Sequence, residues 1–327
     1  MFKNLGVLVL LILFFSSCNK TTPEIKKNDK VIIAHRGASG YLPEHTLESK
    51  AMAYAMKPDF IEQDLVLSKD NVPIVIHDIY LEDVTNVSDV FPDRNREDNR
   101  FYVIDFTFEE LQRLNVTERF DTKTKKAIYP NRFPLNKSTF KLHSLQQEIE
   151  LIQGLNKSTE NTIGIYPEIK NPAFHLENGK DISVIVLKIL NDYGYTSKTD
   201  KCILQCFDAK ELERIRKVLH SELFLVQLIE FPEETEQLKH FATYANGIGP
   251  WYNQILDKKD ANGKWQFTNL VNQAHQLGLK VHPYTFRADQ FEGFDSFNQE
   301  LETLLYKANI DGVFTDFPDK VAKFLNR

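Results

Sequence analysis

One pattern recurs eight times between Val31 and the C-terminus: a short apolar run that ends in polar residues, then a stretch with helical spacing. The runs are VIIAH (31–35), FIEQDLVL (60–67), IGIYPEI (163–169), CILQCF (202–207), LFLVQLI (223–229), GIG (247–249), KVHPYTF (280–286) and DGVFTD (311–316). The amphipathic stretches after them include TLESKAMAYAM, SLQQEIELIQGL, DISVIVLKILNDY, DAKELERIRKVL and the closing PDKVAKFL. A strand covered on both faces reads as a near-continuous apolar run, and a helix after each strand is the crossover that a parallel sheet requires. Eight such units predict an α/β fold whose parallel sheet closes as a (β/α)8 barrel over residues 31–327. An open doubly wound sheet would carry a glycine-rich phosphate loop after a strand, and the sequence has none.

Two segments depart from the alternation. VPIVIHD (72–78) follows the second strand after only SKDN, too short for a parallel crossover, so it must return as a hairpin. A turn centred near Asp70 and Asn71 would set His77 across from Asp64. Residues 79–143, rich in Asp, Arg, Lys, Asn and aromatics, are too long for a structureless loop in a compact domain. They are expected to form a small inserted subdomain beside the barrel mouth.

Chemistry gathers at the predicted strand ends, which is the rim where barrels carry their catalytic groups. Glu62 and Asp64 are two apart on one strand and therefore face the same way, toward the interior. Glu168 ends the third strand, with Lys170 on the same face. Carboxylates crowded in an apolar barrel repel unless one protonates or a cation lies between them. Three acids with no thiol or close His pair suit a hard divalent ion, Ca2+ or Mg2+, better than zinc. The same acids would also be satisfied by ion pairs with Arg36 and Lys170, and spacing alone leaves both readings open. His35 and His77 at the same rim favour the metal site, as an acid–base pair. Arg36 suits a phosphate or carboxylate, Gly37 and Gly40 would let the backbone approach a ligand, and His45 lies close enough to support the site. Gln205 and Gln227 would meet a substrate or cap the structure. Tyr284 and Phe286 alternate with His282 on one strand face, as wall or as core, with Trp251 and Tyr252 near them.

The stretches IIAHRGASGYLPEHT, IEQDLVLSKDNVPIVIHD, GIYPEIK, LQCFDA, VHPYTFR and GVFTDFP resemble, in order, the glycerophosphodiester phosphodiesterase family, and most closely its exported, calcium-dependent bacterial branch. The resemblance implies a barrel with an inserted subdomain that hydrolyses deacylated phospholipids to glycerol 3-phosphate and an alcohol. It implies acid–base roles for His35 and His77, with base and acid unassigned. Phosphate binding falls to Arg36 and Lys170, metal binding to Glu62, Asp64 and Glu168, and a stack over the glycerol to Tyr284. The chain departs from the pattern at Ala173, where an aromatic is common, in the short FPEETEQLKHF, and at Ile79 after the HD pair. A phospholipase of similar barrel fold and a surface binding lipoprotein are the rival readings.

The N-terminus addresses location. One early charge, Lys3, precedes eleven apolar or small residues from Leu5 to Phe15, too few to span a bilayer, which needs about 20. This fits a secretory signal peptide. Cys18 after two serines resembles a bacterial lipoprotein cleavage box, which implies a leader over 1–17, a lipidated Cys18 and a tether over 18–30. The protein is expected to be exported and lipid-anchored, periplasmic or at the cell surface. Cys202 and Cys206, four apart on one strand, would lie about 13 Å from each other at roughly 3.3 Å per residue, too far to bridge. A net charge of −6 without a basic block excludes nucleic acid as a main partner.

Overall fold

The computed structural model describes residues 30–327; the expected leader over 1–17, Cys18 and nearly all of the expected tether over 18–30 lie outside the described residues. Eight parallel strands follow the sequence pattern: β1 (Val31–Ala34), β2 (Phe60–Leu67), β3 (Gly164–Ile169), β4 (Ile203–Cys206), β5 (Phe224–Ile229), β6 (Gly247–Pro250), β7 (Lys280–Val281) and β8 (Gly312–Thr315). Their order is β7-β6-β5-β4-β3-β2-β1-β8, so each strand pairs with its sequence neighbour and the last returns beside the first. Helices such as Leu47–Ala55, Leu145–Thr159, Ile182–Asp192 and Ala209–Lys217 cover the outside. The chain folds as a (β/α)8 barrel.

Alternation along the strands sorts residues into two layers. Ile33, Phe60, Tyr166, Ile203, Val226 and Phe314 fill the barrel interior. Ile32, Ile61, Leu65, Ile165, Leu204 and Cys206 face out to the helices. Cys202 and Cys206 are both buried and unbridged. Gln227 also faces outward: its Nε2 donates to the Phe207 carbonyl at 2.9 Å, and its Oε1 accepts from the Tyr244 hydroxyl at 2.9 Å. It holds structure and does not face substrate.

β7 is much shorter than its apolar run suggested. Its bonds to β6 run on past Val281, His282 N to Ile248 O at 2.9 Å and Tyr284 N to Pro250 O at 3.1 Å, but toward β8 the pairing is irregular, where Pro283 has no N–H to contribute. Individual bonds close the barrel instead, Asp311 N to Val281 O at 2.9 Å and Phe286 N to Phe314 O at 2.8 Å. Off the regular ladder the alternation is lost. Tyr284 lines the mouth, whereas Phe286 is fully buried on the outer side against Tyr252. The expectation that both share one face is therefore corrected.

The returning strand Pro73–Val75 pairs antiparallel with β2, but Leu65 faces Val75, which puts Asp64 opposite Ile76 and not His77. The turn is centred on Asp70: Ser68 N bonds Val72 O at 3.0 Å, and Asn71 takes the left-handed conformation (φ 64°). A one-residue slip would normally send every side chain to the other face. His77 escapes this because the strand ends at Val75, two residues before it.

The inserted segment packs on the face of this hairpin that carries Val66 and Asp64, not on the helix-facing side of Leu65 and Leu67. Val66, Ile74 and Ile76 join Leu81, Val103, Phe106, Leu114 and Phe140 in a second apolar cluster. Two arginines of the segment, Arg119 and Arg132, reach back to the barrel mouth.

Candidate active site

Sheet register assembles the site. β1 pairs Ala34 with Thr315 on β8 and with Ile61 on β2. One step further along the three chains sets Asp316, His35 and Glu62 side by side. His35 Nδ1 accordingly lies 2.6 Å from Asp316 Oδ1, and its Nε2 lies 3.8 Å from Glu62 Oε2. Across the next strands Asp64 pairs with Glu168, and Glu168 with Gln205. Neighbouring positions on parallel strands bring side chains together, so three acids meet in one row and a half of the barrel lining.

The oxygens of Glu62, Asp64 and Glu168 come within 4.8 Å of one another, and all three side chains are buried. Burial, then Asp64 and Glu168, push Glu62 well above the usual carboxylate range. Burial and Asp64 raise Glu168 to about 8, against Lys170, whose Nζ lies 2.7 Å from its Oε1. Burial would raise Asp64 too, but Lys170, His45 and His77 outweigh it and keep it ionised. The Asp64 Oδ1 is buried without a hydrogen-bond partner. Crowded oxygen donors, one of them orphaned, fit a hard divalent cation.

Both histidines are pinned from behind. Asp316 is held well below the usual range: burial opposes this, but Arg287, His35 and Arg132 prevail. An ionised carboxylate only accepts, so Nδ1 of His35 carries the proton and Nε2 is left facing the site. His77 Nδ1 donates likewise to Asp78 Oδ1 at 2.8 Å, with Asp78 kept ionised by His77 and Arg119 against its burial. Burial lowers both rings to about 4; Arg36 adds to this in each, and Lys170 in His77. Each is neutral near pH 7, with a lone pair on Nε2.

Arg36 adopts a left-handed backbone (φ 57°) that turns its N–H onto Glu62 Oε2 at 2.9 Å. Its Nη1 donates to Glu44 at 3.0 Å, and its Nε lies 3.7 Å from Asp64. His45 donates from Nε2 to Asp64 Oδ2 at 2.8 Å, orienting that carboxylate. Gln205 Nε2 donates to Glu62 Oε1 at 3.0 Å, so it positions an acid as well as lining the pocket. The two glycines do not make room for a ligand. A Cβ on Gly37 would meet Ser49 Oγ at 2.6 Å, and one on Gly40 would meet the Phe317 ring at 2.4 Å. They allow the turn to pack against a helix and an aromatic ring of the scaffold.

These groups line one pocket of about 220 Å³ with His35, Arg36, the three acids, His77 and Lys170 on one side. Phe207, Leu228, Trp251 and Tyr284 form the other, with the Tyr284 hydroxyl tied to the Ile229 carbonyl at 3.0 Å. Trp251, 46% exposed, stands at its lip. Sequence reasoning missed Asp316, Asp78, Glu44, Arg119, Arg132 and Arg287. Asp316 and Asp78 had a signal, since one ends the last strand and the other follows His77 directly. The two arginines of the insertion had none.

The sequence profile of the glycerophosphoryl diester phosphodiesterase family matches residues 35–320. A glycerophosphodiester phosphodiesterase of Haemophilus influenzae is 48% identical over 329 residues, covering 91% of this chain and 90% of its own. One from Treponema pallidum is 36% identical over 332 residues, covering 92% and 93%. Among solved structures, a phosphodiesterase of Oleispira antarctica in complex with its product sn-glycerol-3-phosphate matches with a TM-score of 0.62 at 20% identity, over 91% of this chain and 97% of that one. That last likeness is one of fold.

Proposed function

The chain belongs to the glycerophosphoryl diester phosphodiesterase family, and on that footing we propose how its site cleaves a glycerophosphodiester. The enzyme is a glycerophosphodiester phosphodiesterase, and its substrate is a small-molecule diester. The observation that carries the mechanism is the pair of imidazoles, each pinned through Nδ1 to a carboxylate, with Arg36 and Lys170 in the same pocket.

Glu62, Asp64 and Glu168 would hold a divalent cation, Ca2+ in preference to Mg2+, which when bound supplies positive charge against the phosphate. Arg36 and Lys170 bind the non-bridging oxygens and stabilise the charge that grows on them. Nε2 of one histidine takes the proton of the glycerol 2-hydroxyl as that oxygen attacks phosphorus. The bond from phosphorus to the alcohol oxygen breaks, and the other histidine, which has to take up a proton on Nε2 as the anionic phosphate enters the pocket, gives that proton to the leaving oxygen. Water then opens the cyclic phosphate with the roles reversed. The alcohol departs first and glycerol 3-phosphate second. The aromatic ring of Tyr284 covers the glycerol.

An internal hydroxyl held in line is worth several kcal/mol over a free water. Glycerophosphocholine and glycerophosphoethanolamine are therefore expected to turn over, while bis(p-nitrophenyl) phosphate, which lacks a vicinal hydroxyl, is expected to be a very poor substrate. Comparable steady-state rates on all three would mean that water attacks directly.

The enzyme is further proposed to be exported and anchored through a lipid on Cys18. The apolar leader and the small residues before Cys18 support this. Lys30 sits at the start of β1, at the end of the barrel opposite the mouth, so a tether there would leave the mouth free. Fatty-acid labelling should mark the wild type and not Cys18→Ser; label retained by the serine variant would refute the anchor.

A further inference from the structure

Resting on the hydrolase reading above, we infer that the inserted segment is a working part of the site: Arg119 and Arg132 are positioning residues that aim His77 and His35 through Asp78 and Asp316. The two relays use the carboxylate oxygens in the same order, Oδ1 for the histidine and Oδ2 for the arginine. Asp78 accepts from His77 on Oδ1 at 2.8 Å and from Arg119 Nη1 on Oδ2 at 2.7 Å. Asp316 accepts from His35 on Oδ1 at 2.6 Å and from Arg132 Nη2 on Oδ2 at 2.8 Å. Both arginines come from one stretch of the insertion, thirteen residues apart, although their targets lie on the hairpin and at the end of β8.

A carboxylate held by one oxygen alone is free to turn about its last side-chain bond, and the ring on it turns with it. Holding the second oxygen fixes the carboxylate plane, and with it the direction of Nε2 on the far side of the ring. The guanidinium fork suits this role because its donors are rigid relative to one another. Arg132 is itself immobilised: its side chain is 4% exposed, stacks over Tyr129 at 3.7 Å and donates to Asp289 at 2.9 and 3.1 Å. It also reaches the Ser39 carbonyl at 3.3 Å, and the Ser39 hydroxyl holds the His35 carbonyl at 2.8 Å. Arg119 has a second duty, since its Nε and Nη2 hold Glu44 at 3.2 and 2.7 Å, and Glu44 in turn holds Arg36.

The relays therefore make different predictions. Arg132 acts on His35 alone, so Arg132→Met should lower kcat on glycerophosphocholine with KM unchanged. Arg287 still holds Asp316 at 2.9 Å, so the loss is partial, on the order of 10-fold, against the roughly 10²-fold that a misplacement of about 1 Å can cost. Arg119→Met should lower kcat and also raise KM, because Arg36 loosens with Glu44. Arg132→Lys, which keeps charge and one donor, should recover part of the loss and serves in place of the methionine variant if that one does not fold. Two readouts separate positioning from stapling the insertion to the barrel. In 15N-histidine-labelled protein, Arg132→Met should weaken the low-field Nδ1–H signal of His35 and leave that of His77. In a His35→Ala background the same substitution should cost nothing further in kcat. A melting-temperature loss with kcat and both signals unchanged, or an equal cost in the His35→Ala background, would overturn the inference. Should the wild type hydrolyse no glycerophosphodiester, the hydrolase reading fails, and the Nδ1 signals still decide whether the relays exist.

Discussion

Chelation of divalent cations is expected to abolish turnover and to lower the melting temperature, with Ca2+ restoring both. Glu62, Asp64 and Glu168 bring oxygens within 4.8 Å of one another at the floor of the pocket, where all three are buried and little solvent screens them. Without a cation the protein meets this crowding by raising Glu62 and Glu168, the latter to about 8. A ligand that binds only the folded chain stabilises it by about 2.7 kcal/mol at 100 times its Kd. The sign of the pH dependence follows. Carboxyl groups whose folded pKa is raised bind protons more tightly in the folded than in the unfolded chain, so the metal-free protein gains stability as pH falls from about 8; below about pH 6 the buried neutral histidines, His35 and His77 among them, act the other way, because they protonate more readily in the unfolded chain. Melting curves in chelator should rise from pH 9 to pH 6, and added Ca2+ should raise them most at the alkaline end. Full activity in excess chelator would remove the metal from the mechanism.

His35→Ala and His77→Ala should each reduce kcat on the order of 10²-fold or more, the usual weight of an acid–base group. The barrel should survive both changes. Removing His35 leaves Asp316 with Arg132 and Arg287, and removing His77 leaves Asp78 with Arg119, so neither substitution strands an unpaired buried charge. Circular dichroism and melting should accordingly stay close to wild type while the rate falls. KM should change little, because the phosphate is held by Arg36 and Lys170. Near-normal turnover in both variants would place the proton transfers elsewhere.

The barrel and its site were legible to different depths. β2 could be read residue by residue over Phe60–Leu67, because a strand buried on both faces leaves an unbroken apolar run and any charge within it stands out. Glu62 and Asp64 stood out in this way, and alternation alone put them on one side. β7 misled, since KVHPYTF has strand composition but carries Pro283 in its middle. Gly37 and Gly40 misled differently: their need for no side chain is real, yet what fills the space is Ser49 and Phe317, residues that no local rule connects to them.

From its order of residues alone this chain specifies the number of strands and, on regular strands such as β2, which side chains share a face, because these follow from local periodicity and the geometry of the peptide chain; on β7, where the ladder is irregular, it did not. Tertiary structure decided what those groups bind to. Asp316 meets His35 only because β8 closes beside β1, and Arg119 and Arg132 meet their carboxylates only because the insertion folds back over the hairpin. Contacts between distant segments depend on register and packing summed over many residues, and a slip of a single position in the β2 hairpin was enough to put Ile76, not His77, opposite Asp64.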